Sequence, residues 1–595
     1  MPGISGSKVL RVRGVRRMTK GYFAFVLHMH LPYVLQHGRW PHGMDWLSEA
    51  AAETYMRLIQ IMDEMIDEGI EPKLTIDISP VLCEQLADDA FKEEFISYLR
   101  TKAEAARIDA EEFDKYDQKN MLKNAVYWEG FYCDLIVSFE RINKDIMGQL
   151  KRLQDDGYLE VMTCGATHGY GPLLSRDESV QAQYKLAVKN YRKHFGRDPQ
   201  GTWLPECAYR PRYDWKPPLA INGKQGAEIR KGMDEFLSEN GLEYFIVDTT
   251  LLMGGESIGV YIDRFEALKR LWGQFEEQYK PRKIDKDKTP REVYLINSAP
   301  EGKKPTAIFT RDPETGLLVW SGEHGYPGDG NYLDFHKKRF PGGHRYWAVT
   351  SPKADLGDKV EYVRDKALER IPENSFHYAG KIREILEGHY DGTGVPGILV
   401  APYDAELFGH WWFEGPLFLK EVITRVAKDP DVELTFLGEH LERTRPRDVI
   451  SIPEGSWGEG GHHYIWLNKD NEWTWEKIYE SEERMVGLAA YYLENRDRVD
   501  GDLLDIMKQA ARELMLMSAS DWQFLISTWA ARDYAELRLT THYEDFKKLA
   551  DMCDRLIRGK KLTAGDREYF SDCRKRDTCF PEIELEWFAR VEYPA

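Results

Sequence analysis

Short apolar runs alternate with amphipathic segments along most of the chain. The runs are rich in aromatic and β-branched residues, which predicts buried strands. Between them, apolar residues recur three or four positions apart, which predicts helices. The clearest runs are "YFAFVLHMH" (22–30), "PKLTIDISPVL" (72–82), "YLEVMTCGATHG" (158–169), "GTWLPE" (201–206), "LEYFIVDTT" (242–250) and "GILVAPYDAELFG" (397–409). Strands that alternate with helices predict a mostly parallel α/β fold.

Polar side chains end several of these apolar runs. They are His28, His30, His168, Glu206 and Asp404. In a β/α barrel the active site is built at the carboxyl ends of the strands. The pattern therefore favours a barrel with a functional site at that end.

The periodicity also predicts the domain organisation. We expect a disordered basic arm or a misplaced start over 1–17, the barrel over 18–445, and a helical C-terminal domain over 446–595. Within the barrel, 87–156 is charged and helical, whereas 251–307 is rich in Gly, Lys and Pro. A loop of that length in a compact domain is usually a functional lid.

Composition excludes some functional classes. A net charge of −19 argues against a nucleic-acid partner, which needs a basic face. No apolar run approaches the roughly 18 residues of a membrane span, so we expect no membrane partner. The seven cysteines form no CxxC pair, which favours a reducing, cytoplasmic setting. The 17 Trp and 32 Tyr suggest flat ligand faces, such as those that bind sugar rings.

Two carboxylates are candidates for catalysis. Glu206 lies in "GTWLPECAYRP" (201–211), where a charge follows an apolar strand, and Asp404 ends a later strand. Such a pair can divide the acid and nucleophile roles of glycoside cleavage. The alternatives are an ion pair of Glu206 with Arg210 or Arg212 and a helix cap formed by Asp404.

Three histidines allow several interpretations. His28 and His30 lie on the same side of a strand because strand side chains alternate. With His168 and an aspartate they could ligate zinc. They could instead donate hydrogen bonds to substrate hydroxyls, or simply pack in the core.

Glycine-rich stretches carry further candidates. "VWSGEHGYPGDGNY" (319–332) contains Trp320, and "GSWGEGGHHYIWLN" (455–468) contains Trp457 and Trp466. Glycine allows close backbone approach, so these tryptophans either stack on a sugar or pin a tight loop into the core.

The order of the motifs resembles that of a known family. "HMHLPY" (28–33), "GATHGYGPLL" (165–174), "WLPECAY" (203–209), "YDAELFGHWWFEGP" (403–416) and "SASDW" (518–522) look like the motif set of glycoside hydrolase family 57. Within it, "GRWPHGMDWLSEA" (38–50), "GYPGD" (325–329) and the helical C-terminal domain are most similar to the 1,4-α-glucan branching enzymes.

The resemblance implies a fold and a reaction. The expected fold is an incomplete (β/α)7 barrel with a helical insertion, followed by an all-α C-terminal domain. Glu206 matches the nucleophile and Asp404 the general acid/base of a retaining double displacement. The chain cleaved from an α-glucan is transferred to a 6-hydroxyl, which forms an α-1,6 branch as in glycogen synthesis. An α-amylase or a 4-α-glucanotransferase with the same pair is the alternative.

The resemblance also implies a substrate-binding set and no metal or other cofactor. Tyr261 is the candidate lid tyrosine of 251–307, and Arg210 becomes a partner that keeps Glu206 ionised. The matching positions are His28, His30, Trp40, Trp46, His168, Tyr261, Arg311, Trp320, Gly328, Trp457, Trp466 and Asp521.

Two readings from other classes stay open. A zinc-dependent carbohydrate deacetylase is one, because seven-stranded barrels with histidine pairs host that chemistry. A non-catalytic glucan-binding module is the other, and only the tryptophans suggest it.

Overall fold

The computed structural model describes residues 19–591 except 222, 224, 225, 255–266, 268, 269, 271–282, 301–303, 323 and 500. The predicted arm over 1–17 and the candidate lid tyrosine Tyr261 lie outside the described residues.

A curved, mostly parallel sheet forms the centre of the fold. Its strands and those of a small hairpin are β1 Gly21–Met29, β2 Leu74–Ile78, β3 Leu159–Cys164, β4 Gly201–Trp203, β5 Tyr213–Trp215, β6 Glu228–Arg230, β7 Tyr244–Val247, β8 Tyr294–Ile296, β9 Thr306–Thr310, β10 Gly397–Asp404, β11 Val432–Leu434 and β12 Val449–Ile450. Almost every residue of β1 and β10 is buried, because helices cover the outer face of a parallel sheet and leave neither face to solvent.

The sheet closes into an incomplete barrel. The strand order is β10-β1-β2-β3-β4-β7-β9-β8-β12, with β11 added beside β1. At the end of β9, Arg311 forms a single parallel bridge to Val400 of β10, and the amide of Asp312 donates to the Val400 carbonyl at 3.0 Å. This bridge joins the first and last of the parallel strands β10, β1, β2, β3, β4, β7 and β9. The expected incomplete (β/α)7 barrel is therefore confirmed.

Helices cover the barrel and form the insertion and the C-terminal domain. They are α1 Met44–Ala50, α2 Met56–Asp67, α3 Pro80–Ala87, α4 Asp89–Lys115, α5 Lys119–Arg141, α6 Ile146–Asp155, α7 Asp177–Phe195, α8 Met233–Glu239, α9 Thr249–Met253, α10 Pro313–Trp320, α11 Arg364–Thr393, α12 Gly415–Ala427, α13 Leu437–Arg443, α14 Glu472–Glu494, α15 Gly501–Met517, α16 Asp521–Thr528, α17 Arg532–Ile557 and α18 Ala564–Arg576. A π-helical turn, Ala51–Tyr55, joins α1 to α2.

The insertion is a long helical hairpin. The Asp88 carboxylate accepts from the Ala90 amide at 2.8 Å and caps α4, which satisfies a backbone donor that the first turn leaves free. Phe91 and Phe95 of α4 are fully buried, and the Phe95 ring meets the edge of Phe139 from α5. These apolar contacts hold the two helices together.

The described residues differ from the sequence-based reading at β12, a strand within the region expected to be all-α, and in two longer segments. The segment "EIRKGMDEFLSEN" was expected to be one helix, but 228–230 pair with β5 in an antiparallel hairpin and the helix begins at Met233. The segment 251–307 was expected to be a loop, but it contains β8 and the start of β9. Strands of three to five residues are too short for a clear periodicity.

Across the described residues, we find no helix with the length and apolarity that a membrane crossing requires.

Candidate active site

A cavity of about 810 Å³ opens at the carboxyl ends of the barrel strands and is covered by the C-terminal domain. This volume lies within the range of sites that enclose a ligand of drug size, roughly 300–1,000 Å³. Of the predicted positions, the cavity lining includes Glu206, Asp404, His28, His30, His168, Trp40, Trp46, Trp457, Trp466 and Asp521. The structure thus gathers residues that are far apart in the sequence.

Glu206 is held in an uncommon backbone conformation just after β4. Its φ is 60° and that of Cys207 is 48°, in the left-handed region that disfavours residues with a Cβ. The Trp457 amide donates to the Glu206 carbonyl at 3.1 Å, and the Trp457 indole Nε1–H donates to Glu206 Oε2 at 2.7 Å. Backbone strain of this kind is kept where the surrounding structure fixes it, often at functional sites.

Asp404 is the last residue of β10 and lies beside His28 in the register of β1. Strands β1 and β10 are neighbours in the barrel, so the two side chains enter the cavity from adjacent strand ends. The next residue but one, Glu406, is also buried and accepts a hydrogen bond from the Tyr55 hydroxyl. A second acid next to Asp404 makes further negative charge at this end of the cavity costly.

The two candidate carboxyls have raised pKa values. Burial, followed by the negative charge of Asp404, raises the pKa of Glu206 to about 8. Burial and the charge of Glu406 raise the pKa of Asp404 to about 7, although His28 and Arg311 oppose the shift. Because each carboxylate charge disfavours ionisation of the other carboxyl, the two groups titrate together, and the two pKa values describe the pair as a unit. Near neutral pH the pair therefore retains at least one proton.

The prediction that Arg210 keeps Glu206 ionised is wrong. The Arg210 guanidinium is fully buried, donates to the Lys231 carbonyl at 3.0 Å and lies 3.6 Å from Asp177. Arg212 pairs with Glu235 at 2.9 Å. Both guanidinium groups are held by partners outside the cavity lining, so proximity in sequence to Glu206 did not give proximity in space.

The histidines form a stacked, hydrogen-bonded group. His28 Nδ1–H donates to Asp77 Oδ2 at 2.5 Å. A second hydrogen bond, 3.0 Å long, links the Nε2 atoms of His28 and His168. Burial alone lowers the pKa of His28, but the hydrogen bond and charge of Asp77 outweigh it and raise that pKa. Burial and the neighbouring histidines lower the pKa of His168 well below its usual value. We therefore assign a charged His28 that donates to a neutral His168.

The C-terminal domain completes this group. His168 Nδ1–H donates to Ser520 Oγ at 2.8 Å, and the Ser520 amide donates to the His168 carbonyl at 3.0 Å. His30 Nε2–H donates to Asp521 Oδ2 at 2.9 Å. The barrel and the C-terminal domain therefore build the site jointly.

His30, His168 and Asp521 each place one possible metal-binding atom within 4.8 Å of the others. The His30 and His168 rings, however, stack with centroids 4.0 Å apart and planes inclined by 14°. A tetrahedral zinc ion needs ring nitrogens whose lone pairs converge at roughly 2.0–2.1 Å, and the in-plane lone pairs of parallel rings do not converge. This geometry does not fit the zinc centre that the deacetylase reading requires.

The remaining predicted residues, Arg311, Trp320 and Gly328, lie outside the cavity lining. Arg311 pairs with Asp248 at 2.5 Å and lies 5.7 Å from the centre of the Trp457 ring. Trp320 meets the edge of Trp457 at 5.8 Å. Both side chains therefore pack against the Trp457 ring and help to fix its position. A Cβ on Gly328 would lie 2.2 Å from the Gly322 carbonyl oxygen, which gives this glycine a packing role away from the lining.

Asp77 is a site residue that the sequence reading missed. It lies inside the apolar run "LTIDI" of β2 and is fully buried. A charged residue within a buried strand is the signal that could have identified it, because burial of an unpaired charge is costly. Asp77 contacts the charged ring of His28 and not the cavity, so it is a positioning residue.

We expect Asp77→Asn to lower the pKa of His28 and to destabilise the fold by roughly 2 kcal/mol, because a buried charge-assisted hydrogen bond is lost. His28 contributes stability below its unfolded pKa, and this contribution is lost as pH rises through its raised folded pKa. NMR titration of the imidazole and urea unfolding measure both effects. Asp505→Asn, which alters an exposed pair with Arg574, is the control. An unchanged His28 pKa would contradict the assignment.

A β/α barrel that directs two buried carboxyls into an aromatic cavity is the architecture of a carbohydrate-active enzyme. The chain belongs to glycosyl hydrolase family 57, whose sequence model matches residues 24–453. A second model, that of the 1,4-alpha-glucan branching enzyme C-terminal region, matches residues 477–588.

Relatives of similar sequence and solved structures agree with this membership. The chain is 40% identical over 565 residues to the 1,4-alpha-glucan branching enzyme TK1436 of Thermococcus kodakarensis. The aligned region covers 95% of this chain and 78% of the relative. It resembles the crystal structure of the family 57 branching enzyme from Pyrococcus horikoshii with a TM-score of 0.84 and 37% identity, over 97% of this chain and 98% of that one. The α-amylase AmyC of Thermotoga maritima matches with a TM-score of 0.77 and 29% identity, over 97% and 100% of the two chains.

Proposed function

We propose that this protein is a 1,4-α-glucan branching enzyme. The observation that carries the proposal is the joint construction of the cavity by two parts of the chain. Ser520 and Asp521, which bind His168 and His30, lie in the region that matches the branching-enzyme C-terminal model. A domain of that type therefore contributes directly to the polar surface beside the two carboxyls.

In the proposed reaction Glu206 attacks the anomeric carbon of a bound α-1,4-glucan. Asp404 donates its proton to the departing oxygen, and a covalent glycosyl intermediate forms on Glu206. Asp404 then removes the proton from the 6-hydroxyl of an acceptor chain. That hydroxyl displaces Glu206, so an α-1,6 linkage forms with retention and both carboxyls return to their starting states.

The proton that the pair retains has to lie on Asp404 when substrate is bound. In the empty site the higher pKa belongs to Glu206, about 8 against about 7. The Trp457 indole N–H donates to Oε2 and already opposes the rise in the pKa of Glu206 in the empty site. The form with the proton on Asp404 is therefore the less populated of the two singly protonated forms. Positive charge that develops on the sugar stabilises ionised Glu206 in the transition state, so the reaction proceeds through that form.

We expect kcat/KM to follow a bell-shaped pH profile with its maximum between the two values of about 7 and about 8. Below this window both carboxyls bind a proton and no nucleophile remains, whereas above it both are ionised and no acid remains. Ordinary carboxyls would place the maximum at about pH 4. Initial rates from pH 4 to 10 at constant ionic strength measure the profile. A maximum below about pH 5 would contradict the shared-proton assignment.

Product analysis tests the function. We expect incubation with amylose to produce new α-1,6 linkages, which a debranching enzyme releases as short linear chains, with few new reducing ends. Substantial reducing ends without branches would reject the proposal.

Hydrolysis is the second candidate, favoured by the full-length likeness to the α-amylase AmyC. The same two carboxyls would serve both reactions, and only the group that attacks the intermediate differs. A transferase has to hold a sugar acceptor in preference to water. The reducing-end assay separates the two outcomes directly.

A further inference from the structure

One segment of the cavity mouth has no role in the reaction described above. Residues 335–343, "FHKKRFPGG", are here named the rim loop. Phe335, Lys338 and Phe340 are among its residues that line the cavity. The loop has no helix or strand of its own, so its position depends on contacts with the rest of the protein.

Ion pairs and hydrogen bonds attach the rim loop to α1 and to α4 of the helical insertion. Lys338 pairs with Glu49 at 2.9 Å, and Arg339 pairs with Asp109 at 2.8 Å. Lys102 of α4 donates to the Gly342 carbonyl at 2.9 Å. Attachment on both sides of residue 340 holds the tip of the loop in one place.

The side chain at this tip is an exposed aromatic ring. Phe340 is 63% exposed and Trp40, from the segment before α1, is 70% exposed. Their ring centroids are 6.3 Å apart, with planes inclined by 88°. Exposure of large apolar side chains gains nothing for folding, and two adjacent exposed rings that line a cavity offer an apolar surface to a ligand.

The pair lies at the outer end of the cavity, whereas the carboxyls lie at the inner end. Glu206 is hydrogen-bonded to Trp457, which is 8% exposed. The exposed rings therefore meet a part of the ligand that is remote from the reacting bond. The apolar C–H face of a pyranose ring fits an aromatic surface of this kind.

We propose that Phe340 is a specificity-determining residue that stacks, with Trp40, on the distal sugars of a bound α-1,4-glucan. The proposal rests on the proposed function, because it takes an α-glucan as the ligand. A chain long enough to reach the mouth gains this contact, whereas a shorter chain occupies only the inner part. Phe340 thereby makes affinity depend on chain length.

Binding to α-1,4-glucan oligosaccharides of increasing length tests the proposal. Titration calorimetry on the inactive Glu206→Gln protein measures Kd without turnover. We expect an added Phe340→Ala change to raise Kd for long oligosaccharides about five- to tenfold, as for loss of one aromatic contact. The Kd for the shortest oligosaccharide that binds stays the same. Phe340→Tyr keeps the ring and restores the length dependence.

Phe376 provides a matched control because it is similarly exposed, at 70% against 63% for Phe340, and lies on α11 outside the cavity lining. We expect Phe376→Ala to leave Kd unchanged at every length. Equal weakening by Phe340→Ala at all lengths, or no weakening at any length, would overturn the role of Phe340.

The outcomes also distinguish the two proposals. If the parent protein forms no α-1,6 linkages from amylose but shows the length-dependent effect of Phe340, the proposed function fails and the stacking role stands. If the parent protein branches amylose and Phe340→Ala changes nothing, only the stacking role fails. If Glu206→Gln binds no α-glucan of any length, the glucan assignment itself is wrong.

Discussion

Glu206→Gln is expected to reduce branching turnover by at least about 10³-fold, since it removes the nucleophile of the reaction. The change is nearly isosteric, and the amide oxygen can still accept the indole N–H of Trp457. No other change to the cavity is therefore expected. Rates on amylose, measured by branch formation and by reducing ends, test the loss of both transfer and hydrolysis.

The same change is expected to leave the fold intact and to stabilise it at high pH. A carboxyl whose folded pKa is raised costs stability above its unfolded pKa, and the full cost is present above the folded value of about 8. Glutamine carries no such cost, so the free energy of unfolding should rise by roughly 5 kcal/mol at pH 9, as expected for a carboxyl whose pKa rises from 4.5 to about 8 on folding. Urea unfolding at pH 5 and pH 9 measures the difference.

Glu243→Gln is the matched control. Glu243 precedes β7, at the amino ends of the barrel strands, and pairs with Lys304 on the surface. We expect normal turnover and stability from this variant. Turnover by Glu206→Gln within about tenfold of the parent would exclude Glu206 as the nucleophile and revive the reading of the chain as a non-catalytic binding module.

The central fold was predictable because its elements are long and regular. The runs that became β1 and β10 are buried on both faces, and such strands are recognisable as continuous apolar segments. β8 and β12 were missed because three- and two-residue strands show no period. Their position is set by pairing with β9 and with each other, which is tertiary information.

The candidate site likewise contains some residues that the sequence predicted correctly and others that it did not. Glu206 and Asp404 were identifiable because each ends an apolar run, and topology alone brings strand ends together. Arg210 was misassigned because its buried partner Asp177 lies at the start of a distant helix. The rim loop was missed because ion pairs with Glu49 and Asp109 decide its position. Contacts between distant charged side chains leave no periodic pattern in a sequence.

The prediction that separates the roles of the two carboxyls uses azide, a small nucleophile that needs no general base. We expect Asp404→Ala to reduce turnover on glucans by about 10²–10⁴-fold and to retain cleavage of an aryl α-glucoside, whose leaving group departs without a proton.

Azide should restore turnover of the aryl substrate in Asp404→Ala and give an α-glycosyl azide, because it displaces the intermediate from the face that the acceptor uses. In Glu206→Ala azide replaces the nucleophile itself and should give the β-anomer. The anomeric coupling constants in NMR spectra of the products decide between these outcomes, and the parent protein with azide is the control. A β-azide from Asp404→Ala with an α-azide from Glu206→Ala would reverse the two assignments.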